Sequence, residues 1–308
     1  MLHGLNVALC LGVLFALTTS TLAQSGPSGA VSIDPFSTTG NPAVTAQNFE
    51  ADLQFPSQTS SISNAAPQTA MFKPSGSGPF PALVIMPDCA GHNHSMHAFR
   101  WAKQALAKGY AVLVVDPLTP RRVGLNCAFP FGVSFPRLLK DAFDAAHWLQ
   151  KQPFVNPRRI GLIGFSQGAM VGLGAAGDKY ALQYGTLFKA IVSAYPVCTV
   201  NNIRHPGIDH PIDVSWVPSQ VTVPILVEMG DEDTEAPAAD CVPLLSALKA
   251  AGEPVEYVTY HATHEWDAQE TDGFRHTVDG KNVIYLYSAD VTAQSQRDAF
   301  AFLSMHLK

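Results

Sequence analysis

A serine becomes a useful nucleophile only when an imidazole can take its proton and a carboxylate can hold that imidazole in place. All three residue types stand at marked positions in this chain. Ser166 is the centre of Gly164-Phe165-Ser166-Gln167-Gly168, a Gly-x-Ser-x-Gly pattern. Ile160 to Phe165 before it is a short apolar run with the make-up of a strand buried on both faces. Ala169, Met170 and Leu173 after it are good helix formers. A strand that turns sharply into a helix exposes the central side chain above the positive end of the helix dipole. The flanking glycines remove the Cβ atoms that would clash in such a turn. Two further strand-like runs end in the missing partners. Pro224 to Met229 runs into Gly230-Asp231-Glu232-Asp233, and Val255 to Tyr260 runs into His261-Ala262-Thr263-His264. The chain order is therefore serine, acid, histidine. Asp231, Glu232 and Asp233 compete for the acid, and Asp233 is preferred. It is far enough past Gly230 to round the turn and face the sheet edge, whereas Asp231 suits capping that turn. His264 is preferred to His261, which directly follows its strand and can pack or face solvent. With a histidine as base, activity is expected to rise with pH through an ionisation near neutrality.

Acyl transfer also needs backbone N–H donors for the developing oxyanion. The first is expected from Gln167, directly after the serine. The second should come from the loop after Ala82 to Met86, which reads Pro87-Asp88-Cys89-Ala90-Gly91. Proline has no N–H, so Cys89 is the expected donor. His92, His94 and His97 could in principle gather around zinc, but no acidic or cysteine partner stands at fitting spacing, and a polar loop capping the next helix is preferred. Arg121-Arg122 could bind a substrate carboxylate or form surface pairs.

These groups must be carried by a regular framework. Strand-like runs at 82–86, 111–115, 160–165, 190–195, 224–229 and 255–260 alternate with helical stretches at 95–108, 137–151, 238–251 and 292–306. This alternation predicts right-handed βαβ units and a mostly parallel, doubly wound sheet flanked by helices, with ligands at the C-terminal ends of the strands. Short strands at 49–55 and 69–73 would enter the sheet antiparallel. The proline-punctuated stretch 196–220 is expected to be a loop or small lid, and 118–135 a loop. One domain over 49–308 is expected, after a Ser/Gly/Pro-rich leader at 24–48. Leu5 to Leu17 is apolar but short for a bilayer, and Thr21-Leu22-Ala23 suits a small-residue cleavage site. Residues 1–23 therefore predict a secretory signal peptide, with an uncleaved anchor as the alternative. The chain would then be secreted or periplasmic, with no stable membrane insertion after cleavage. Beyond Cys10, the cysteines are Cys89, Cys127, Cys198 and Cys241. An even number in an exported chain suggests disulfides, and three pairings are open. A net charge of −6 with 14% charged residues argues against nucleic-acid binding, which needs a basic patch.

With these residues in place, the chain resembles the dienelactone hydrolase family of α/β-hydrolases, in particular exported relatives that carry serine. The resemblance covers roughly 79–307. It rests on 87-PDCAGHN-93, 152-QPFVNP-157 leading into GFSQG, 194-AYPVC-198, the Gly-x-x-Asp at 230–233 and 264-HEWD-267. It implies the α/β-hydrolase fold and hydrolysis of a small-molecule ester or lactone, without metal or organic cofactor. It carries the nucleophile to Ser166, the acid to Asp233, the base to His264 and the oxyanion donors to Cys89 and Gln167. Dienelactone hydrolases proper have cysteine at the nucleophile position, so their substrate is not carried over. Many relatives have His-Gly where Pro87-Asp88 stands. Because all four cysteines follow strand ends, the pairs Cys89–Cys127 and Cys198–Cys241 are expected to staple the loops framing the site. The leading expectation is a secreted or periplasmic serine hydrolase. A peptidase or acyltransferase on the same three residues, or an inactive binding protein on a hydrolase scaffold, are the alternatives.

Overall fold

Six strand runs become the parallel strands of one sheet; the inner ones are apolar on both faces and need cover on both, while the edge run 255–260 alternates with exposed Glu256 and Thr259. The computed structural model describes residues 31–33, 53, 55, 69–92, 95–127, 131–203, 211–278 and 280–307. The expected signal peptide lies outside them, as do His94 and most of the stretches 24–48 and 49–55. In chain order the elements are β1 (Val31–Ile33), β2 (Ala70–Phe72), β3 (Phe80–Met86), α1 (His97–Ala107), β4 (Ala111–Val114) and α2 (Phe135–Gln150). There follow β5 (Val155–Phe165), α3 (Gln167–Ala176), α4 (Asp178–Tyr184), β6 (Ala190–Ala194), β7 (Thr199–Ile203) and β8 (Ile212–Ser215). The chain continues through β9 (Ile225–Gly230), α5 (Ala238–Ala250), β10 (Val255–Tyr260), β11 (Arg275–Val278), β12 (Lys281–Ile284) and α6 (Ala289–His306).

The main sheet runs β10-β9-β6-β5-β3-β4-β2, parallel throughout except for β2, which pairs antiparallel with β4. From β3 the chain moves outward to β4, then returns to the other side of β3 as β5 and continues through β6, β9 and β10. The direction of winding thus reverses between β3 and β5, the place where such sheets open a crevice at their strand ends. Two apolar layers cover the sheet. One packs α2, α3 and α5 through residues such as Leu139, Phe143, Leu173 and Leu245. The other packs α1 and α6 through Phe99, Trp101, Phe302 and Leu303. Helix boundaries follow local chemistry. Ser134 caps α2 by accepting from the Arg137 N–H, and Ser288 caps α6 by accepting from Val291. Gly109, at φ 87°, ends α1 as expected.

Two regions differ from expectation. The stretch 196–220 holds strands as well as loop: β7 and β8 pair antiparallel, and β1, from within the expected leader, pairs parallel with β8. This small sheet joins residues 181 positions apart (Val31 with Ile212), so no local pattern announces it. Neither was the β11–β12 hairpin anticipated, although Asp279-Gly280 between two short runs is a hairpin signal.

One buried carboxyl has a consequence for stability. Glu228 on β9 is fully buried; its Oε1 faces the Tyr260 hydroxyl at 2.9 Å and its Oε2 accepts from Ser295 Oγ at 2.8 Å. The same Tyr260 hydroxyl lies 2.9 Å from Asp298 Oδ2. One phenolic proton cannot serve two carboxylates, so one carboxyl carries a proton of its own. Burial assigns it to Glu228, whose pKa is pushed up from 4.5 to about 8, with Asp298 and Asp267 adding to the effect against the pull of Ser295 and Tyr260. Between these two values unfolding releases a proton. Stability is therefore intact below about pH 4.5, erodes as pH rises and has lost the full amount above about pH 8. Glu228→Gln, which mimics the neutral acid, is expected to be more stable than wild type by a few kcal/mol at pH 8, since each tenfold change in proton affinity is worth roughly 1.4 kcal/mol. The gain should vanish near pH 4. Denaturant titrations at pH 4, 6 and 8 check this, and a pH-independent difference would refute it.

Candidate active site

The turn after β5 sets the site. Ser166 occupies φ 48°, ψ −110°, a backbone region that costs a non-glycine residue of order 1–3 kcal/mol. It is held there because α3 starts on the next residue and the Ser166 N–H is tied to the Ala194 carbonyl of β6 at 3.0 Å. Gly168 is required by close approach: a Cβ there would run into the backbone of Met86 and Pro87, where α3 abuts the end of β3.

Three strand ends converge on one chain of hydrogen bonds. Ser166 Oγ lies 3.0 Å from His264 Nε2, and His264 Nδ1 lies 2.6 Å from Asp233 Oδ2. All three residues are buried. A carboxylate only accepts, so Nδ1 carries the proton shared with Asp233, and neutral His264 presents Nε2 to the serine as an acceptor. Asp233 is itself fixed, because its Oδ1 accepts from the N–H groups of Glu235 and Ala236 at 2.9 and 2.8 Å. The competing pair is elsewhere: Asp231 and His261 meet at 3.1 Å on the exposed rim, away from Ser166. Burial opposes a charge on His264 but is outweighed by the charge and hydrogen bond of Asp233, aided by Glu235 and Glu265. The imidazole pKa is therefore raised well above its ordinary value.

The His264 ring is held on its flanks as well as at its nitrogens. Tyr195 stands edge-on with ring centroids 4.9 Å apart, and Tyr285, just after β12, stands at 5.5 Å. Each phenol is anchored by a carboxylate: Tyr195 donates to Asp267 Oδ1 at 2.7 Å, and Tyr285 to Glu235 Oε2 at 2.6 Å. Asp267 also accepts from Trp101 Nε1, and Glu235 also contacts His276 Nε2 at 3.0 Å. Sequence reading had no role for Asp267, Glu235 or Tyr285, since their meeting is purely spatial. Local strain does mark the neighbourhood. Tyr195 and Glu265 take φ 45° and 54°, so with Ser166 three of the four described non-glycine residues at positive φ sit at these strand ends.

Cys89 and Gln167 stand on either side of the β3–β5 reversal. The Gln167 N–H is one of the donors that a helix leaves unpaired at its start. The Asp88 carbonyl accepts from Gly91 at 3.2 Å; in a trans peptide the Cys89 N–H then points the opposite way. Both expected disulfides are present, Cys89–Cys127 and Cys198–Cys241.

Other candidates are engaged elsewhere. Arg121 is neither a surface residue nor a ligand for substrate: it is buried and pairs with Asp141 through two bonds of 2.6 and 2.9 Å. Sequence reading missed this because Asp141 comes from α2. His92 faces the Val115 carbonyl at 3.1 Å, and His97 lies 3.5 Å from Asp88 and 3.2 Å from Ser95 Oγ. Among the described residues no three His, Cys, Asp or Glu side chains are gathered as metal ligands, and His94 lies outside them. A cavity of about 660 Å³ opens near the C-terminal end of α3, lined by Tyr180, Trp216 and Leu248 among others, at the end of the helix opposite Ser166. Among the described residues no helix is long and apolar enough to cross a membrane.

Comparison with known proteins agrees with this fold. The family model of the dienelactone hydrolases matches residues 68–307. Among curated proteins, the mouse acylamino-acid-releasing enzyme is 25% identical over 230 residues, covering 64% of this chain but only 30% of its own length. Among solved structures, a proposed dienelactone hydrolase of Klebsiella pneumoniae superposes with a TM-score of 0.55 at 17% identity, covering 77% of this chain and 92% of the other. Esterase 2 of Thermogutta terrifontis, solved after phosphonylation by cyclosarin, gives 0.53 at 14% identity, with coverage of 77% and 88%. A sheet of this winding, a strained serine at its reversal point and a family match over most of the chain point the same way: the chain belongs to the dienelactone hydrolase family of α/β-hydrolases.

Proposed function

We propose that the protein is an exported serine hydrolase that cleaves carboxylic esters or lactones through an acyl-enzyme on Ser166. The observation that carries this reading is the continuous chain Ser166 Oγ–His264–Asp233, with spacings of 3.0 and 2.6 Å. In it, His264 Nε2 takes the serine proton as Oγ attacks the carbonyl carbon, and Asp233 stabilises the imidazolium. The negative oxygen of the tetrahedral intermediate is received by the N–H groups of Cys89 and Gln167. The imidazolium then protonates the departing alkoxide. Water, deprotonated by the same histidine, releases the acid and restores the serine. For a lactone the leaving alcohol stays attached to the acyl group and both ends leave together. Export is supported by the apolar run Leu5 to Leu17 and by two disulfides, which persist in oxidising compartments.

A fluorophosphonate probe tests the nucleophile directly. Wild type is expected to label and Ser166→Ala to stay unlabelled; equal labelling would remove Ser166 from the mechanism. The likeness to the acylamino-acid-releasing enzyme favours a second reading, release of acylated amino acids from peptides. It is distinguished by kcat/KM on matched N-acyl-aminoacyl anilides and p-nitrophenyl esters, with the esters expected to be preferred.

A further inference from the structure

Both oxyanion donors are backbone groups, so their aim depends on what holds two peptide planes. One residue reaches both loops. Asn126, fully buried between α1 and α2 in sequence, donates its N–H to the Cys89 carbonyl at 2.7 Å. Its side-chain Nδ2 donates to Gln167 Oε1 at 2.9 Å, and its own carbonyl accepts from Gln167 Nε2 at 2.9 Å. This is a reciprocal amide pair spanning 41 residues of sequence. The remaining valences are tied to Val133: Nδ2 donates to its carbonyl at 3.0 Å and Oδ1 accepts from its N–H at 2.9 Å. The next residue, Cys127, is bonded to Cys89. The peptide before Cys89 is fixed by the Asp88–Gly91 turn; in the peptide after it, the Ala90 N–H donates to Asp88 Oδ1 at 2.7 Å within the same loop, and the carbonyl is tied across to Asn126.

We propose that Asn126, through its amide pair with Gln167, is the positioning residue of the oxyanion hole, setting the separation of the Cys89 and Gln167 N–H groups. The inference rests on the serine hydrolase reading above. Asn126 does not touch substrate. It acts because a buried amide pair is satisfied in one geometry only, and moving either loop would strand several buried polar groups at once. The oxyanion forms in the transition state rather than in the bound ester, so loosening the hole should lower kcat and spare KM.

Two variants test this. Asn126→Ala removes the Nδ2 half of the pair and the Val133 bonds, keeping only the backbone carbonyl as acceptor; Gln167→Met keeps the Gln167 N–H and the side-chain shape but removes both halves of the pair. For a short p-nitrophenyl ester each is expected to lower kcat by about tenfold to a hundredfold, below the 10²–10³ of deleting a donor outright. KM and the pH inflection of kcat/KM should stay in place, because the base side is untouched. Affinity for a trifluoromethyl ketone, whose adduct carries an oxyanion, should fall in step with kcat/KM. The double variant should be no worse than the poorer single one, since both break the same pair. A purely structural role would lower melting temperature and leave kcat per folded enzyme unchanged in Gln167→Met. That result, or additive losses, would overturn the assignment. Ser166→Ala run alongside separates the cases: if it still labels and turns over, the hydrolase reading has failed; if it is dead while Gln167→Met is fully active, only this inference has.

Discussion

Ser166→Ala is expected to lower kcat for ester hydrolysis by about 10⁵- to 10⁶-fold, leaving the residual rate that an oxyanion hole and substrate binding alone supply. The effect is large because Ser166, His264 and Asp233 act together, so removing the attacking oxygen leaves the other two with nothing to do. The fold should survive. Ser166 Oγ bonds only to His264 among the described contacts, and alanine inherits the same strained backbone at φ 48°. Ser166→Gly makes the strain visible. It should be equally inactive but more stable than wild type by about 1 kcal/mol, because glycine adopts positive φ without a steric cost. Steady-state rates together with denaturant midpoints check both parts. Unchanged stability in the glycine variant would mean that the elbow stores no strain.

Asp233→Asn is expected to cost about 10⁴-fold in kcat with little change in KM. An asparagine amide can donate to His264 Nδ1, which shifts the ring proton to Nε2 and leaves no acceptor facing Ser166. The pH profile carries a second signature. Asp233 is the main reason the imidazole is raised against burial, so wild-type kcat/KM should rise with pH through an inflection above the ordinary histidine value of about 6.5. This is displaced upward from the neutral value expected from residue type alone. In Asp233→Asn the remaining activity should inflect at lower pH, since burial then acts with less opposition. The linked effect on stability has the same sign as for Glu228. A histidine whose folded pKa is raised stabilises the fold fully below about pH 6.5 and loses that contribution as pH rises through the raised value. Rising pH thus generates the active form of the base while weakening the fold at two buried sites, and activity at alkaline pH should be limited by inactivation with time rather than by chemistry. Progress curves at pH 9 that curve in wild type but straighten in Glu228→Gln would carry this signature.

Much of the site was legible because it is built from strand ends. In a parallel sheet every strand delivers its following residues to the same edge, so a run such as Pro224 to Met229 tells where Asp233 must emerge without any knowledge of contacts. The disulfides followed from the same placement. Helix and strand existence was readable from period and capping, as with Ser134 and Gly109. What escaped was non-local. The β1–β8–β7 sheet is paired across intervals with no pattern of their own. Arg121 looks like a surface or ligand residue until α2 brings Asp141 against it. Asn126 sits in a loop marked in the sequence only by its prolines and glycines, and its value lies in meeting Cys89 and Gln167, which approach from two different strands.

The sequence by itself determined which reactive groups this protein has, their order, and the sheet edge on which they gather, because periodicity and turn chemistry are local properties. Tertiary structure showed where each candidate pair goes: the preferred Asp233 and His264 on one side, Asp231 and His261 on the other. One pair closes on Ser166 inside the protein while the other meets at the solvent rim. It also decided how each group behaves. Proton affinity, ring orientation and the aim of a backbone N–H depend on burial and on neighbours distant in sequence, and these exist only once the chain has folded.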